Sequence, residues 1–435
     1  MYSAATRAVA PGPALALRLE PLKLAGRQRV WILALGKAAA PMASAAVTFL
    51  GGRGISPAGG IIVAPAQSTP PHPDLLCVQG DHPEPGPGSQ AASDALARVA
   101  AQVQPTDQVW VLLSGGTTSL IGAPEAGLTS AELANIYSLL LGSGLDITAM
   151  NRIRKRFSRW GGGKLARALA PATVRVFVVS DVIGDDLASI GSGPCVPDPS
   201  TATEVRALLE EADLWNRIPE RARNLVRSAE SGQTPETPKP GAAIFAQVTH
   251  ELIASNSLAL DAAASRAREL GIVPAVQYVP ISGEASRVGR ELATSLLDNC
   301  ARQQSPQLKS SAGLCWVWGG ETTVTLGDGA AGLGGRCQEL ALAAAKVLSG
   351  SAAGAALLAA GTDGRDGPTD AAGAVVDSRT WRAIKEAGRD PARDLKAHDA
   401  YTSLDSAGAL LRPGLTGTNV MDVMIGLCLP VQPDR

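Results

Sequence analysis

The sequence has few aromatic residues, no excess of charge of either sign and no long hydrophobic run. Aromatics make up 3% of the 435 residues, too few for the stacking platforms that bind single-stranded nucleic acid. The formal net charge of −1 does not favour nucleic acid or an anionic membrane surface as a partner. No apolar run approaches the roughly 18 residues that span a bilayer. We therefore expect no nucleic-acid partner and no membrane association.

Cysteine and histidine are scattered rather than grouped. The six cysteines form no C-x-x-C pair, and the four histidines, at positions 72, 82, 250 and 398, lie far apart. In a chain of this length, that pattern predicts reduced thiols in a cytoplasmic protein. It argues against a disulfide framework, a zinc site or a histidine-rich metal centre.

Two common motifs of nucleotide-binding proteins and hydrolases are also missing. The chain has no G-x-x-x-x-G-K-[ST] motif, because Lys37 precedes alanine and Lys164 precedes leucine. Ser192 lies in the turn "IGSGP" but lacks the full G-x-S-x-G pattern of α/β-hydrolases. We therefore expect neither a Walker-type nucleotide site nor a serine hydrolase.

Apolar residues are abundant, at 45% of the chain, and 435 residues are too many for one ordinary core. Short apolar runs alternate with longer stretches of helical character. Predicted strands cover 30–35, 60–64, 108–113, 174–180, 314–319, 322–326, 355–360 and 422–429. Predicted helices cover 89–104, 130–142, 202–212, 255–270, 284–303 and 335–348. This rhythm predicts a doubly wound α/β protein of two domains, each with a mostly parallel sheet flanked by helices.

The domain boundary is predicted from composition. Residues 228–243, "SAESGQTPETPKPGAA", are rich in Pro, Ser and Thr and read as a linker. A boundary near residue 240 gives domains of residues 1–240 and 241–435. A second polar stretch at 300–311 is predicted to be a loop.

Ligands of open α/β sheets bind beyond the carboxyl ends of the strands, so the loops after the predicted strands are the first candidates for a site. Lys37 follows the strand at 30–35 and starts a helix, where backbone N–H groups favour an anion. A solvent-facing lysine explains that position equally well. The loop after 108–113 forms either a phosphate-binding nest or a tight turn with an N-cap. Its residues are Ser114, Gly115, Gly116, Thr117 and Thr118.

Aspartates cluster after two further predicted strands. Asp181, Asp185 and Asp186 follow the strand at 174–180, and such a cluster suits Mg²⁺ bound through one or two carboxylates plus substrate phosphates. An Asx turn would explain one of these aspartates but not three. The loop "GTDGRDGPTD" follows the strand at 355–360, and its three aspartates favour binding of a cationic group over an acidic surface loop. They are Asp363, Asp366 and Asp370.

Two other loops are candidates. Residues 327–332 match G-x-G-x-x-G between a strand and a helix, but the acid that a dinucleotide site needs about 20 residues further on is missing. Arg336, at the start of the following helix, is well placed to clamp an anion. In "GDHPEPGPGS", prolines flank His82 and Glu84, although a lone histidine is more often structural.

Together these loops resemble the class II glycerate kinases, the glycerate 2-kinases that carry the multi-organism fragment with rich leucine. The resemblance runs nearly end to end. It rests on "GKAAAPMA", "GDHPEPGPGS", "LLSGGTTSL", "RIRKRFSRWGGGKLA", "VVSDVIGDDLASIGSGPCVPD", "WGGETTVTL", "GLGGRCQELALA", "GTDGRDGPTDAAGAVVD" and "TGTNVMD". The order and spacing of these blocks are far more specific than any one of them.

The resemblance implies transfer of the γ-phosphoryl group of ATP to D-glycerate with Mg²⁺, giving 2-phosphoglycerate. It implies a Rossmann-like first domain, a leucine-rich fragment at about 312–428 and an active site in the cleft between the domains. Similar proteins are also labelled NAD(P)H-dependent hydroxypyruvate reductases, which is the alternative activity. The implied partners are D-glycerate and ATP only, and the chain is expected to be a monomer or homodimer.

Matching the family's motifs to this sequence gives expected roles. The important lysine falls on Lys37, the essential arginine on Arg336, and the aspartates on Asp181 and Asp363. Lys37 and Arg336 either both neutralise the transferring phosphoryl group or one of them binds the glycerate carboxylate. Asp363 either accepts the proton of the 2-hydroxyl or holds Mg²⁺. We expect the residues from Ser114 to Thr118 to cradle phosphates, and Asp181, Asp185 and Asp186 to hold the metal. His82, Glu84 and Arg154 are the predicted substrate-binding residues. Cys337 stands where the family usually has Asn, which predicts a changed contact with substrate.

Overall fold

The computed structural model describes residues 1–24, 28–303, 313–327, 332–351 and 354–429. The chain forms two compact units. One, the N-terminal unit, contains Pro11–Ile253, and the other, the C-terminal unit, contains Ala254–Arg435 together with Met1–Ala10. The functional domains predicted as 1–240 and 241–435 stay a prediction. Their boundaries differ from those of the compact units, which place Met1–Ala10 in the C-terminal unit and residues 241–253 in the N-terminal unit.

The strands and helices in the part of the chain that the structure describes have the following bounds. The strands are β1 (Val30–Leu35), β2 (Gly59–Ala64), β3 (Leu75–Gln79), β4 (Gln108–Leu113), β5 (Thr173–Val179), β6 (Val248–Ala254), β7 (Val273–Glu284), β8 (Leu314–Thr323), β9 (Gly354–Gly361), β10 (Gly373–Asp377), β11 (Leu410–Leu411) and β12 (Asp422–Leu429). The helices are α1 (Tyr2–Ala8), α2 (Pro11–Leu19), α3 (Ala39–Gly51), α4 (Pro87–Ala100), α5 (Thr117–Leu120), α6 (Ser130–Leu141), α7 (Ile147–Phe157), α8 (Lys164–Leu169), α9 (Ala202–Glu211), α10 (Glu220–Glu230), α11 (Asn256–Glu269), α12 (Ala285–Gln303), α13 (Arg336–Leu348), α14 (Thr380–Glu386), α15 (Pro391–Lys396) and α16 (Ala400–Ser406).

The sheet of the N-terminal unit has the strand order β3-β2-β1-β4-β5-β6 among the described residues. Strands β1, β2, β3, β4 and β5 pair in parallel with one another. Strands β1, β2 and β4 are buried along their whole length, as continuous apolar runs in a sheet covered on both faces should be. This order is that of the Rossmann-type doubly wound sheet, and it reverses between β1 and β4. The predicted α/β class and parallel sheet are confirmed here.

A second core in the N-terminal unit lies among helices α6, α7, α9 and α10, where Phe157, Trp215 and smaller apolar side chains pack together. Two of these helices begin with a capping box. The hydroxyl of Thr129 accepts from the N–H of Glu132 at 3.2 Å, and the Glu132 carboxylate accepts from the N–H of Thr129 at 2.8 Å. Satisfying these helix-end donors fixes where α6 begins.

The sheet of the C-terminal unit corrects the prediction of a mostly parallel sheet. Its order among the described residues is β11-β10-β9-β12-β8-β7, and only β7 pairs with its neighbour in parallel. The other neighbouring pairs of this sheet are antiparallel. Helix α13 does connect β8 to β9, which run in the same direction, but the last strand, β12, inserts between them in the opposite direction. The loop 362–372 has no helix to carry a crossover, so β10 returns antiparallel to β9.

Two further predictions need correction. The predicted strand at 322–326 is not separate, because β8 runs on from Leu314 and ends at Thr323. Cys300 and Cys428, predicted to be reduced thiols, form a disulfide with Cα atoms 5.7 Å apart, because helix α12 packs on the sheet beside β12. Most of the predicted loop at 300–311 lies outside the described residues. Within them, no helix is long and apolar enough to cross a membrane.

Candidate active site

The switch point of the N-terminal sheet brings two predicted loops together. Gly36 and Lys37 follow β1, and the glycine loop 114–118 follows the adjacent strand β4. The N–H of Lys37 donates to the carbonyl of Gly115 at 2.9 Å, and the N–H of Ala38 donates to Oγ of Ser114 at 3.0 Å. These bonds fix the lysine backbone against the glycine loop, while the Lys37 side chain is exposed.

The threonine hydroxyl groups of the glycine loop already form hydrogen bonds within the protein. Oγ1 of Thr117 donates to the carbonyls of Leu35 and Ser114 at 2.9 and 2.8 Å. The hydroxyl of Thr118 shares a hydrogen bond of 3.0 Å with that of Ser192. A phosphate group would therefore meet backbone N–H groups rather than these hydroxyls.

Three predicted side chains gather around the two glycines of this loop. A Cβ atom built on Gly115 would lie 1.8 Å from Oδ2 of Asp181. One built on Gly116, whose φ is +84°, would lie 3.3 Å from both Nε2 of His82 and Cγ of Lys37. Only residues without a side chain allow this approach. Lys37, His82 and Asp181 with the two glycines are called the glycine-loop cluster below.

The electrostatics agree with this proximity. Burial raises the pKa of Asp181, and the charge of Lys37 opposes that shift. Burial lowers the pKa of His82, and the charge of Lys37 lowers it further, while Asp181 acts in the opposite direction. The three side chains are therefore close enough for their charges to act on one another.

The other predicted residues of the N-terminal unit occupy separate places. Glu84 is exposed on the loop before α4. Arg154 is half-buried on α7, with its guanidinium 5.3 Å from the ring centre of Tyr137 and its buried Nε without a partner in the described chain. Asp186 accepts from the N–H of Ala188 and the hydroxyl of Ser189, at 3.1 and 2.6 Å, so it closes its own turn. Asp185 has a buried Oδ1 with no partner among the described residues.

Arg336 of the C-terminal unit is held by two carboxylates. Its Nε and Nη2 donate to the two carboxylate oxygens of Asp422 at 2.6 and 2.9 Å, and its Nη1 lies 2.8 Å from Oε1 of Glu321. Asp422 is fully buried at the start of β12. Burial acts to lower the pKa of Arg336, but the bonds and charge of Asp422 raise it above its ordinary value. The guanidinium is thus fixed in one orientation with N–H groups left over.

Asp363 lies near Asp422, just after the end of β9. A Cβ atom built on Gly361, the last residue of β9, would be 3.2 Å from Oδ1 of Asp363 and 3.5 Å from Oδ1 of Asp422. The hydroxyl of Tyr2 donates to the carbonyl of Gly361 at 2.7 Å. Burial, followed by the charge of Asp363, raises the pKa of this phenol. Arg336, Glu321, Asp363 and Asp422 are called the arginine cluster below.

The remaining aspartates of the 361–370 loop do not join this cluster. Asp366 is buried and accepts from the N–H groups of Cys337 and Gln338 at 3.1 and 2.7 Å, so it caps α13. Burial raises its pKa to about 7. Asp370 is exposed and accepts from the hydroxyl of Tyr401 at 2.8 Å. Asp370 also accepts from Nε of Arg412 at 3.3 Å, so both aspartates have partners within the chain. The prediction that the loop binds a cationic group of a ligand stays a prediction, and Asp363 is the aspartate of this loop that lies near Asp422.

Sequence reasoning missed four residues around Arg336: Asp422, Glu321, Glu339 and His398. Glu339 is buried on α13, one turn after Arg336, and its Oε2 lies 2.8 Å from Nδ1 of His398. A signal for Asp422 existed, because it opens an otherwise apolar strand. Cys337, expected to change a substrate contact, is fully buried.

Comparisons with known proteins show similarity along nearly the whole chain. Residues 1–227 match a family described as a domain of unknown function, DUF4147, and residues 314–422 match the MOFRL family. A protein from Thermotoga maritima named D-glycerate 2-kinase is 38% identical, over 97% of this chain and 95% of its own. A crystal structure of a glycerate kinase from the same organism superposes with a TM-score of 0.87 at 36% identity, covering 98% of this chain and 97% of that one. An Agrobacterium vitis protein, 36% identical over 91% of this chain and 86% of its own, is provisionally named a hydroxypyruvate reductase.

Proposed function

This chain belongs to the glycerate 2-kinase family, and we propose that it transfers the γ-phosphoryl group of ATP to the 2-hydroxyl of D-glycerate. The products are 2-phosphoglycerate and ADP. The glycine-loop cluster is the observation that carries the proposal, because it places a lysine, close-packed glycines and an aspartate at the switch point of a doubly wound sheet. Phosphoryl transfer needs this kind of positioning and charge neutralisation more than covalent chemistry by the protein.

The two clusters suggest separate roles in transfer. Lys37 and the backbone of the glycine loop neutralise the phosphates of ATP. Arg336, whose orientation is fixed by Asp422, uses its remaining N–H groups to bind the carboxylate of glycerate. Asp363 accepts the proton of the 2-hydroxyl as that oxygen bonds to the γ-phosphorus and the bond to the β-phosphate breaks. We also keep the prediction from sequence that His82, Glu84 and Arg154 bind substrate.

Magnesium is part of the proposal, and the donor set of this chain fits it in part. Asp181 offers a carboxylate beside the glycine loop, and the buried Oδ1 of Asp185 has no partner in the described chain. Asp186 fits poorly, since its own turn uses both carboxylate oxygens. No group of three metal-ligating side chains forms among the described residues, so Asp181 and Asp185 would hold Mg²⁺ together with the phosphates of ATP. Bound there, Mg²⁺ would offset the charge that develops on the phosphates.

The reductase alternative finds less support. In a dinucleotide site, the pyrophosphate binds the N–H groups at the start of the helix that follows the glycine fingerprint. Here that helix is α13, and the carboxylate of Asp366 already accepts from its N–H groups at Cys337 and Gln338. Residues 328–331 of the fingerprint lie outside the described residues. The predictions of a cytoplasmic location and of a monomer or homodimer stay predictions.

The test measures ADP release from Mg-ATP with and without D-glycerate, and in parallel the oxidation of NADH or NADPH by hydroxypyruvate. We expect glycerate-dependent ADP release only. Lys37→Ala and Arg336→Ala should each lower turnover at least ~10²-fold, as for the loss of one strong electrostatic contact in a transition state. Arg379→Ala, which removes a cation that is 88% exposed, is the matched control and should change nothing. Consumption of reduced cofactor without ADP release would replace the kinase with the reductase.

A further inference from the structure

A cavity of about 570 Å³ opens in the C-terminal unit beside the arginine cluster. Its walls are the end of β8, the first turn of α13, and residues 366–368 of the loop between β9 and β10. Arg336 lies in the wall. This volume is in the range of sites for drug-sized ligands. A three-carbon acid such as glycerate would leave most of it empty, so the cavity calls for a larger occupant.

The walls combine an apolar surface with hydrogen-bond acceptors. Val324, Leu326 and Pro368 supply the apolar part, and Leu326 is 58% exposed although it is a large hydrophobic residue. The buried hydroxyl of Thr322, also in the wall, has no partner among the described residues. An exposed leucine in a concave wall indicates that a ligand with an apolar face would complete it, whereas the Thr322 hydroxyl is too buried to reach a ligand.

The charge of the walls is unsuited to phosphate groups. Glu321, Glu339 and Asp366 contribute carboxylates, whereas Arg336 is the only lysine or arginine among the described lining residues. The guanidinium of Arg336 is already bound by two carboxylates. Such walls accept hydrogen bonds from neutral hydroxyl and amino groups and repel a polyanion.

His398 lines this cavity, and its ring is held at one nitrogen. Its backbone φ of +54° is unusual for a residue other than glycine, and its Nδ1 is tied to Glu339 at 2.8 Å. Nε2 has no hydrogen-bond partner in the described part of the chain. The side chain is 24% exposed and lines the cavity. A ring that is held at one nitrogen and open at the other is arranged for recognition of a ligand.

From these observations we propose that the cavity binds the nucleoside part of the nucleotide co-substrate, an inference that rests on the proposed kinase function. The purine packs against Leu326, Val324 and Pro368. Its amino group and the ribose hydroxyls donate to the acidic side chains, and Nε2 of His398 contacts the purine edge.

The test uses two variants on exposed side chains of the cavity. Leu326→Glu removes apolar surface and adds negative charge, and His398→Asn removes the ring but keeps a residue that tolerates a positive φ. Each should raise KM for ATP and the dissociation constant of ADP, measured by calorimetry on the full-length chain, at least tenfold. KM for D-glycerate should stay within twofold of the unchanged protein. Asp370→Asn, an exposed carboxylate outside the cavity, is the control and should alter neither constant.

The outcomes separate this inference from the proposed function. ADP binding that is equal in both variants and the unchanged protein would overturn the nucleoside site even if the kinase reaction is observed. A raised KM for D-glycerate with an unchanged KM for ATP would assign the cavity to the other substrate, and the inference would also fail. If the protein has no glycerate kinase activity but both variants weaken ADP binding, the nucleoside site is retained and the proposed reaction is rejected.

Discussion

Replacing Gly115 with alanine tests whether the close approach of Asp181 to the glycine loop is needed for catalysis. An alanine Cβ would lie 1.8 Å from Oδ2 of Asp181, whereas ordinary contacts begin at 3.4 Å, so the carboxylate must move by about 1.6 Å. The backbone of Gly115 is outside the left-handed region, so alanine adds no backbone strain. The clash is with the end of a side chain that can turn away. We therefore expect the variant to fold with nearly unchanged stability.

The effect should appear in turnover instead. A displacement of about 1 Å in a catalytic group typically costs ~10²-fold in rate, so kcat/KM should fall about 100-fold or more. That corresponds to roughly 2.7 kcal/mol of lost transition-state stabilisation. If Asp181 helps to hold Mg²⁺, the variant should also need more Mg²⁺ to reach its maximal rate.

The assay is glycerate-dependent ADP release at several Mg²⁺ concentrations, with a thermal unfolding curve to show that the variant is folded. Gly51→Ala is the matched control, because a Cβ at Gly51, the last residue of α3, meets no atom within 4 Å. It should keep full activity. A folded Gly115→Ala protein with turnover within threefold of the unchanged chain would refute the idea that the position of Asp181 matters.

Two further predictions concern titration. Because burial raises the pKa of Asp366 from 3.8 to about 7, the folded chain holds a proton there that the unfolded chain has lost between these values, so stability should fall as pH rises through this window. Urea unfolding of wild type and Asp366→Asn at pH 4.5 and 7.5 checks this, and equal pH dependence of the two proteins would contradict it. Burial and then Lys37 lower the pKa of His82. Its NMR titration should therefore shift upward in Lys37→Met and downward in Asp181→Asn, and an unmoved titration in both would show that the three side chains are not close.

The N-terminal sheet was predictable because the sequences of its central strands show directly that these strands are buried. β1 and β4 are continuous apolar runs buried on both faces, and the structure gives them the predicted bounds. β3 was missed because it is largely unburied, so its apolar residues form no clear pattern. From sequence, Asp181 and Gly115 could be expected only to lie at the same edge of the sheet. Their close approach could not be predicted, because it depends on the conformations of two loops that are far apart in sequence.

The C-terminal unit was less predictable because its pairings depend on where distant strands insert. The apolar sequence of β12 predicts a buried strand. However, nothing in its residues shows that it lies between β8 and β9 and runs in the opposite direction. β7 is a long, mostly exposed edge strand with prolines at positions 274 and 280, and these features obscure a strand pattern. The roles of Asp363, Asp366 and Asp370 could not be separated from the loop sequence, since only packing shows that Asp366 reaches the start of α13.

The difference between the two clusters bears on which residue acts on the transferred group. The charge of Arg336 is largely offset by Asp422 and Glu321, so its field at a distance is weak and its value lies in the direction of its remaining N–H groups. Lys37 makes no ion pair within 4 Å among the described residues, and its side chain is exposed next to backbone N–H groups. We therefore propose that Lys37 mainly neutralises the charge of the phosphoryl group and that Arg336 recognises the planar carboxylate. On this reasoning, Asp422 and Glu321 serve to restrict Arg336 to the substrate and to keep it from competing for the phosphates.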